Sequence, residues 1–403
     1  MKSTTAMTRE MDDMKKTAEE LASQVQETLP LKTGSCGILF CDSEMDHAQL
    51  VAELKDRLPE TVIVGCTSVA NIDGKKGFQD MVASLTVLTA DDVRFSFSLS
   101  DPITADDVTE KVEEAYKRGA AVLAEPAKLI LAFPAYNLNI TLDEYPEALD
   151  KVSGGVPIFG GLPAANPPYG VNQILADGKV YTDRAAFVLI GGNIQPIFTV
   201  QNVLSNTTEQ KRPVTHSERN VIYRVGDVSF VDYLRQFGLP VEKIASEPNT
   251  TAFVTNPLLV EMPRDDNDDG VPFVRTLHSL DLQEGSGTAI GKIPQGAMIS
   301  IAVMKRKDVE LSTRQAIRNI AKQIEARRGN GYEYSTILGV SCIGRYMIMA
   351  NDPGVEGRVI AEETPPSIHL SSFYGYGEMG PTSVRNGRAV NRAHNESIVL
   401  CAF

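Results

Sequence analysis

The sequence predicts a mixed α/β protein in which repeated β-α-β-β units form mixed sheets with flanking helices, in a layered αββα arrangement. Three observations carry this. Short apolar runs bounded by turn residues, such as Gly37-Ile38-Leu39-Phe40, Leu129-Ile130-Leu131-Ala132-Phe133 and Ile337-Leu338-Gly339-Val340, leave no polar face and so read as strands buried on both sides. Stretches with apolar residues three and four apart separate each run from the next strand and supply the crossover that parallel pairing requires. The whole block also recurs, with nearly the same spacing from Phe40 to Gly65 as from Phe133 to Gly160.

Taken in order, Met11, Met14, Ala18, Leu21, Val25 and Leu29 mark one helical face that Pro30 closes, so residues 1–30 are read as an N-terminal capping helix. That stripe packs on its own domain; a homodimer contact is the alternative. The first unit is Gly37–Phe40, a helix over Ala48–Leu58, and Val62–Val64 running into Gly65-Cys66-Thr67-Ser68. The second is Leu129–Phe133, a helix through Leu142, Ala148 and Val152, and Val156–Phe159 running into Gly160-Gly161. A third, weaker copy spans Ile337–Val340, Val355–Thr364, Ile368–Leu370 and Phe373–Gly375. Met81–Leu88 with Val93–Leu99, and Ala185–Ile190 with Ile197–Val203, read as trailing hairpins. Further helices are predicted from Val108 to Tyr116, and over Ile317–Ile324 with a capping box at Ser312–Gln315. The polar stretch Ser205–Ser217 reads as a linker and Gly226–Phe237 as a short helix ended by Gly238, which places the boundary between two domains, 31–225 and 226–403.

A chain of 403 residues with 42% hydrophobic and 23% charged side chains has enough apolar mass for two or more cores. Its net charge of -13 excludes a general phosphate-binding surface, so neither nucleic acid nor an anionic membrane is an expected partner. Neither a signal-peptide core nor an apolar run of membrane-spanning length occurs, and a cytoplasmic location is expected. The five cysteines are scattered without ligand spacing, so no disulfide framework, metal or other cofactor is predicted. Asp265 to Gly270 has the opening offsets of a calcium loop, but Thr276 stands where the closing Glu belongs and Pro272 interrupts, so it reads as an acidic turn.

The chemistry-bearing residues concentrate at strand ends. Tyr374, Tyr376 and Glu378 alternate through glycines, and His394 and Asn395 precede a final apolar strand; aromatic rings can enclose a ligand body while Glu378 accepts from an ammonium. Ser341-Cys342-Ile343-Gly344-Arg345 leaves a strand and offers a guanidinium that suits a carboxylate, or an internal ion pair. Cys66, Thr67 and Ser68, with Gly160 and Gly161, sit at turns that can present small groups to a ligand or simply end strands.

These stretches resemble the FIST family of bacterial and archaeal sensory modules. Ser372–Pro381 is similar to its Gly-Phe-Tyr-Thr-Tyr-Gly-Glu-Ile-Gly-Pro, and His394-Asn395 to its His-Asn, with Glu396 and Ser397 in place of the usual Gln and Thr. Gly65–Ile72 resembles the family's Gly-Cys-Ser-Thr-Ala-Gly-Glu-Ile, except that Ala70 replaces the Gly and Asn71 the Glu. The resemblance implies a FIST N-terminal and a FIST C-terminal domain, and a sensory protein that binds a small molecule, an amino acid or organic acid, in a cleft between them. It implies a separate signalling output protein rather than an enzyme. The alternative is a cysteine hydrolase or transferase with Cys66 or Cys342 as nucleophile and His394 as base. A ligand site would gather Cys66, Thr67, Ser68, Gly160, Gly161, Cys342, Arg345, Tyr374, Tyr376, Glu378, His394 and Asn395.

Overall fold

A strand with apolar side chains at every position must feed two cores, and the three repeats do so. The computed structural model describes residues 1–403 apart from 167–169, 203–209, 247–250, 263–268 and 329–330. The first unit comprises β1 (Lys2–Thr8), α1 (Met14–Thr28), β2 (Ser35–Asp42), α2 (His47–Arg57), β3 (Thr61–Ser68), β4 (Asn71–Asp73), β5 (Gly77–Gln79) and β6 (Ala83–Thr89). The second repeats that order as β7 (Val93–Leu99), α3 (Val108–Leu123), β8 (Leu129–Pro134), α4 (Glu144–Ser153), β9 (Ile158–Gly161), β10 (Ile174–Ala176), β11 (Lys179–Tyr181) and β12 (Ala185–Gly192).

The third unit opens with β13 (Ile197–Asn202) and is then interrupted by an inserted module. The module contains β14 (Arg212–Glu218), β15 (Val221–Val225), β16 (Val228–Ser229), α5 (Phe230–Gln236), α6 (Val241–Ser246), α7 (Thr251–Thr255), β17 (Leu258–Glu261), β18 (Phe273–Arg275), β19 (Leu277–Asp281), β20 (Ser286–Ala289) and β21 (Met298–Ile301). The unit resumes with α8 (Arg306–Arg328), β22 (Thr336–Cys342), α9 (Ile343–Met349), α10 (Val355–Glu363), β23 (His369–Gly375), β24 (Glu378–Arg385), β25 (Arg388–His394) and β26 (Ser397–Ala402).

Mixed sheets with helices outside are as the sequence predicts, and the layering is repeated three times around one common core. In each unit two strands pair in parallel across a helix, β2 with β3, β8 with β9 and β22 with β23. The inward residues of all three sheets, including Ile38, Phe40, Leu131, Phe133, Val340 and Phe373, meet in a central cluster. There the Phe40 ring stacks on Phe373 at 4.3 Å and meets Phe133 edge-on at 6.0 Å. Each of these buried rings contributes about 1.5–3 kcal/mol. The alternate residues Leu39, Ile130 and Ile337 face outward into three separate cores, under α1 and α2, α3 and α4, and α8 with α10.

The short hairpins are exchanged between units. β4–β5 joins β23 of the third unit, β10–β11 joins β3 of the first, and β24–β25 joins β9 of the second. Among the described residues, three of the four sheets therefore take strands from both sides of residue 226. The trailing hairpins expected at 81–99 and 185–203 do not form. β1 and β2 occupy both edges of β6, so β7 pairs with β12; β12 is in turn flanked by β7 and β8, so β13 pairs with β26.

Other readings are corrected locally. Within residues 1–30, read as one capping helix, Lys2–Thr8 is instead an edge strand paired with β6, and the helix runs only over Met14–Thr28. The expected capping box at Ser312 lies within α8, where the Ser312 and Thr313 hydroxyls donate to the Val309 carbonyl. Of the polar stretch Ser205–Ser217, the part from Arg212 is strand β14, and residues 203–209 lie outside the described residues. Asp265–Asp268 also lie outside them, while Asp269 accepts from Thr382, Ser383 and Arg392 and so ties its turn to the third unit. No helix among the described residues is long and apolar enough to cross a membrane.

Candidate functional site

The closing motif is shaped by its glycines. A Cβ on Gly375 would lie 2.7 Å from the Leu162 carbonyl oxygen and one on Gly377 2.8 Å from the Leu142 side chain, so only glycine lets the chain pass between β9 and the β8–α4 loop. Tyr376, between them, is turned outward: its hydroxyl donates to the Ala165 carbonyl at 3.2 Å and its ring lies 4.9 Å from Tyr136. Beside it opens a groove of about 100 Å³ between the third unit and the inserted module, lined by Cys342, Gly344, Tyr376, Asn395 and Glu396 on one side and Phe253, Thr276, His278 and Ile290 on the other.

The wall of this groove is a buried acid cluster. Glu378 and Glu396 are fully buried. Glu378 accepts from the Ser397 hydroxyl at 2.7 Å and Glu396 from the Thr276 hydroxyl at 2.9 Å, which leaves Glu378 Oε1 and Glu396 Oε2 without partners. Burial pushes Glu378 up to about 8 and Glu396 up to about 7, so both hold protons well above the ordinary carboxyl range. The Cys342 thiol is pushed up by burial and then by both carboxyls. Glu396 also carries a φ of 55°, and its carboxyl rests where a Cβ on Gly344 would be, 2.2 Å from Oε1. A non-glycine residue held in that region costs about 1–3 kcal/mol and marks a place where function is to be sought.

Arg345 is placed elsewhere and is consumed by the protein. It is fully buried, with Nη2 donating to Glu356 Oε1 at 2.6 Å and Thr313 Oγ1 at 2.7 Å, Nη1 to Ser312 at 3.0 Å, and Nε to Glu356 and Ser341. Burial alone would raise the Glu356 carboxyl, but the guanidinium overrides it and holds it below the ordinary range. The network joins α8, α9, α10 and β22, and the buried guanidinium does not line the groove where a ligand carboxylate would lie. Tyr374 is buried beside it, its ring 5.4 Å from Tyr346.

The remaining predicted residues do not face the groove. Cys66 sits in the central core, the Thr67 hydroxyl accepts from the Gln173 N–H, and the Ser68 hydroxyl accepts from the Tyr374 N–H at 3.0 Å, clamping β23 to the first unit. Gly160 and Gly161 are required by packing: a Cβ on the first would lie 1.8 Å from the Ala132 carbonyl oxygen and on the second 2.5 Å from that of Gly377. His394 Nε2 lies 3.0 Å from the Gly380 carbonyl, which can only accept, so Nε2 carries the proton and Nδ1 has no partner. Burial pushes this imidazole down to about 4. All five cysteines are buried, and neither Cys66 nor Cys342 is hydrogen-bonded to His394, so the nucleophile–base pair is not assembled. Of the twelve predicted residues the groove thus gathers Cys342, Tyr376 and Asn395, with Glu378 against the thiol.

Sequence reasoning missed Glu396 as a site residue, and missed Thr276, His278 and Ile290, because the inserted strands show no motif. It also missed what holds the module in place. The first turn of α4 presents Asp143, Glu144 and Glu147 to Arg275 at 2.6 Å, Arg219 at 2.7 Å and Lys292 at 2.5 Å. Arg275 is buried as well and donates to the Ala393 carbonyl, next to His394.

Comparison with curated proteins finds no match. Among solved structures the chain is similar to cyanuric acid hydrolase from A. caulinodans, at 7% identity over 99% of both chains with a TM-score of 0.35. It is also similar to PurL from T. maritima complexed with ATP, at 9% identity over 99% of this chain and 71% of that one with a TM-score of 0.19. Neither likeness is close enough to bear on fold or function. The family comparison is specific: the FIST N domain matches residues 35–227 and the FIST C domain residues 231–381. FIST domains are sensory domains of signal-transduction proteins. Covered almost end to end by the two, the chain belongs to the FIST family.

Proposed function

We propose that the groove beside Tyr376 is the sensory site, and that it captures a small metabolite with an amine head and an apolar body, an amino acid being the metabolite class that combines them. The observation that carries this is Glu396: a buried carboxyl in the groove wall with one oxygen bound to Thr276 and the other without a partner. A buried carboxyl oxygen without a partner costs about 1–3 kcal/mol, which an ammonium donor recovers on binding as the carboxyl gives up its proton. Phe253, Leu277, Ile290, Ile343 and Met347 supply the apolar lining for the ligand body. With Arg345 bound to Glu356, recognition rests on the amine rather than on a carboxylate.

Because Glu396 belongs to the third unit and Thr276 to the inserted module, a ligand at Glu396 acts on the contact between them. That gives a binding event a route to a change that a separate signalling protein can read in the cytoplasm. The test is a calorimetric screen of amino acids, simple amines and organic acids. Compounds with an amine are expected to bind and those with only a carboxylate to fail. Glu396→Gln is expected to weaken the amines by about 1.5–3 kcal/mol. Equal binding of amine-free acids, unaffected by Glu396→Gln, would overturn the assignment.

A further inference from the structure

A second cavity, of about 80 Å³, lies on the far side of Tyr376 from the acid cluster, between the β8–α4 loop and strand β20; it shares Tyr376, His278 and Ile290 with the groove. Its chemistry differs. None of the described residues lining it is Asp, Glu, Lys or Arg. One end is the Tyr136–Tyr376 ring pair, and the floor is apolar through Ile140, Leu142 and Leu162.

Among the described residues lining it, one fully buried side-chain polar atom lacks a partner. Thr141 is 7% exposed and its Oγ1 makes no hydrogen bond. Thr141 and Glu144 have the spacing of a capping box at the start of α4, yet only the glutamate half forms, Glu144 Oε2 accepting the Thr141 N–H at 3.0 Å. The hydroxyl that would ordinarily turn onto the helix is left over.

We propose that this slot is a second binding site, for a small uncharged aromatic molecule carrying one hydrogen-bond donor, with the ring against Tyr136 and the donor on Thr141 Oγ1. A charged ligand would be stripped of water with no counter-charge to meet it, which excludes ions. An aromatic ring gains both the apolar floor and the offset contact with Tyr136. The site goes beyond the amine groove and does not depend on it.

Indole is the probe, because the chain contains no tryptophan and indole fluorescence reports binding without protein background. Saturable binding is expected, about three- to tenfold weaker in Tyr136→Leu. Wild type is expected to prefer indole over 1-methylindole, which lacks the donor, and Thr141→Val to abolish that preference. Glu396→Gln is expected to leave indole affinity within about twofold, since the two sites share no bonded partner. Should Tyr136→Leu fail to fold, the near-isosteric Thr141→Val still decides. Absence of saturable binding, or an indole preference that survives Thr141→Val, would overturn the proposal. Loss of indole binding in Glu396→Gln would place the ring in the amine groove and equally overturn it.

Discussion

Arg345→Met replaces a buried guanidinium with an apolar side chain and leaves Glu356 behind it, fully buried and still bonded to Ser341 at 2.7 Å and Thr313 at 2.8 Å. Removing one partner of a buried ion pair costs about 3–5 kcal/mol, because the remaining charge is uncompensated. Urea unfolding of wild type and variant measures the loss directly. The pH dependence supplies a second, independent sign. In the wild type Glu356 is held below its ordinary value, so its contribution is present above the ordinary carboxyl range and is lost as pH falls through the depressed folded value. In Arg345→Met burial is opposed only by the Ser341 and Thr313 hydrogen bonds, the folded value rises, and the contribution of Glu356 to stability falls as pH rises above the ordinary range. Amine binding at the groove should be retained in whatever fraction folds. A loss below about 1 kcal/mol, the worth of an exposed pair, together with abolished ligand binding, would refute the structural role and return Arg345 to the ligand.

Glu378 and Glu396, whose folded values are raised to about 8 and about 7, bind protons that the unfolded chain has released. Their stabilisation is therefore complete below the ordinary carboxyl range and is lost as pH rises through those values; denaturation curves from acid to mildly alkaline pH should show the decline, and Glu378→Gln with Glu396→Gln should flatten it. Gly344→Ala puts a methyl 2.2 Å from the Glu396 carboxyl, and is expected to abolish amine binding and lower the melting temperature. Asp143→Ala leaves the buried Arg275 charge unpaired and should destabilise the chain by about 3–5 kcal/mol in urea unfolding. All five thiols should resist alkylation in the native state and react only on unfolding, and Cys342→Ser should leave amine affinity nearly unchanged.

The three β-α-β blocks were legible because a strand buried on both faces cannot hide: Gly37–Phe40, Leu129–Phe133 and Ile337–Val340 are apolar throughout. Where the hairpins would go was not legible. β4, β10 and β24 carry ordinary strand chemistry, and the choice of partner sheet depends on which edges neighbouring units have already filled. Lys2–Thr8 alternates weakly and owes its strand to the free edge of β6. The two readings left open for Arg345 differ only in whether a carboxylate of the chain reaches it, and Glu356 does so from the first turn of α10. Glu396 was visible as a departure from the family's usual Gln. Its missing partner, like the strands of the inserted module that face it, becomes visible only once the third unit and the module are packed together.

Central to the account is an ammonium received by a carboxyl that is protonated beforehand, and counting the proton released on binding tests it most directly. Titrations of n-butylamine near pH 6, in buffers of different ionisation enthalpy, should give observed heats that vary linearly with that enthalpy, with a slope approaching one proton released. In Glu396→Gln the slope should vanish along with most of the affinity. Amine binding without proton release, or release that persists in Glu396→Gln, would contradict it.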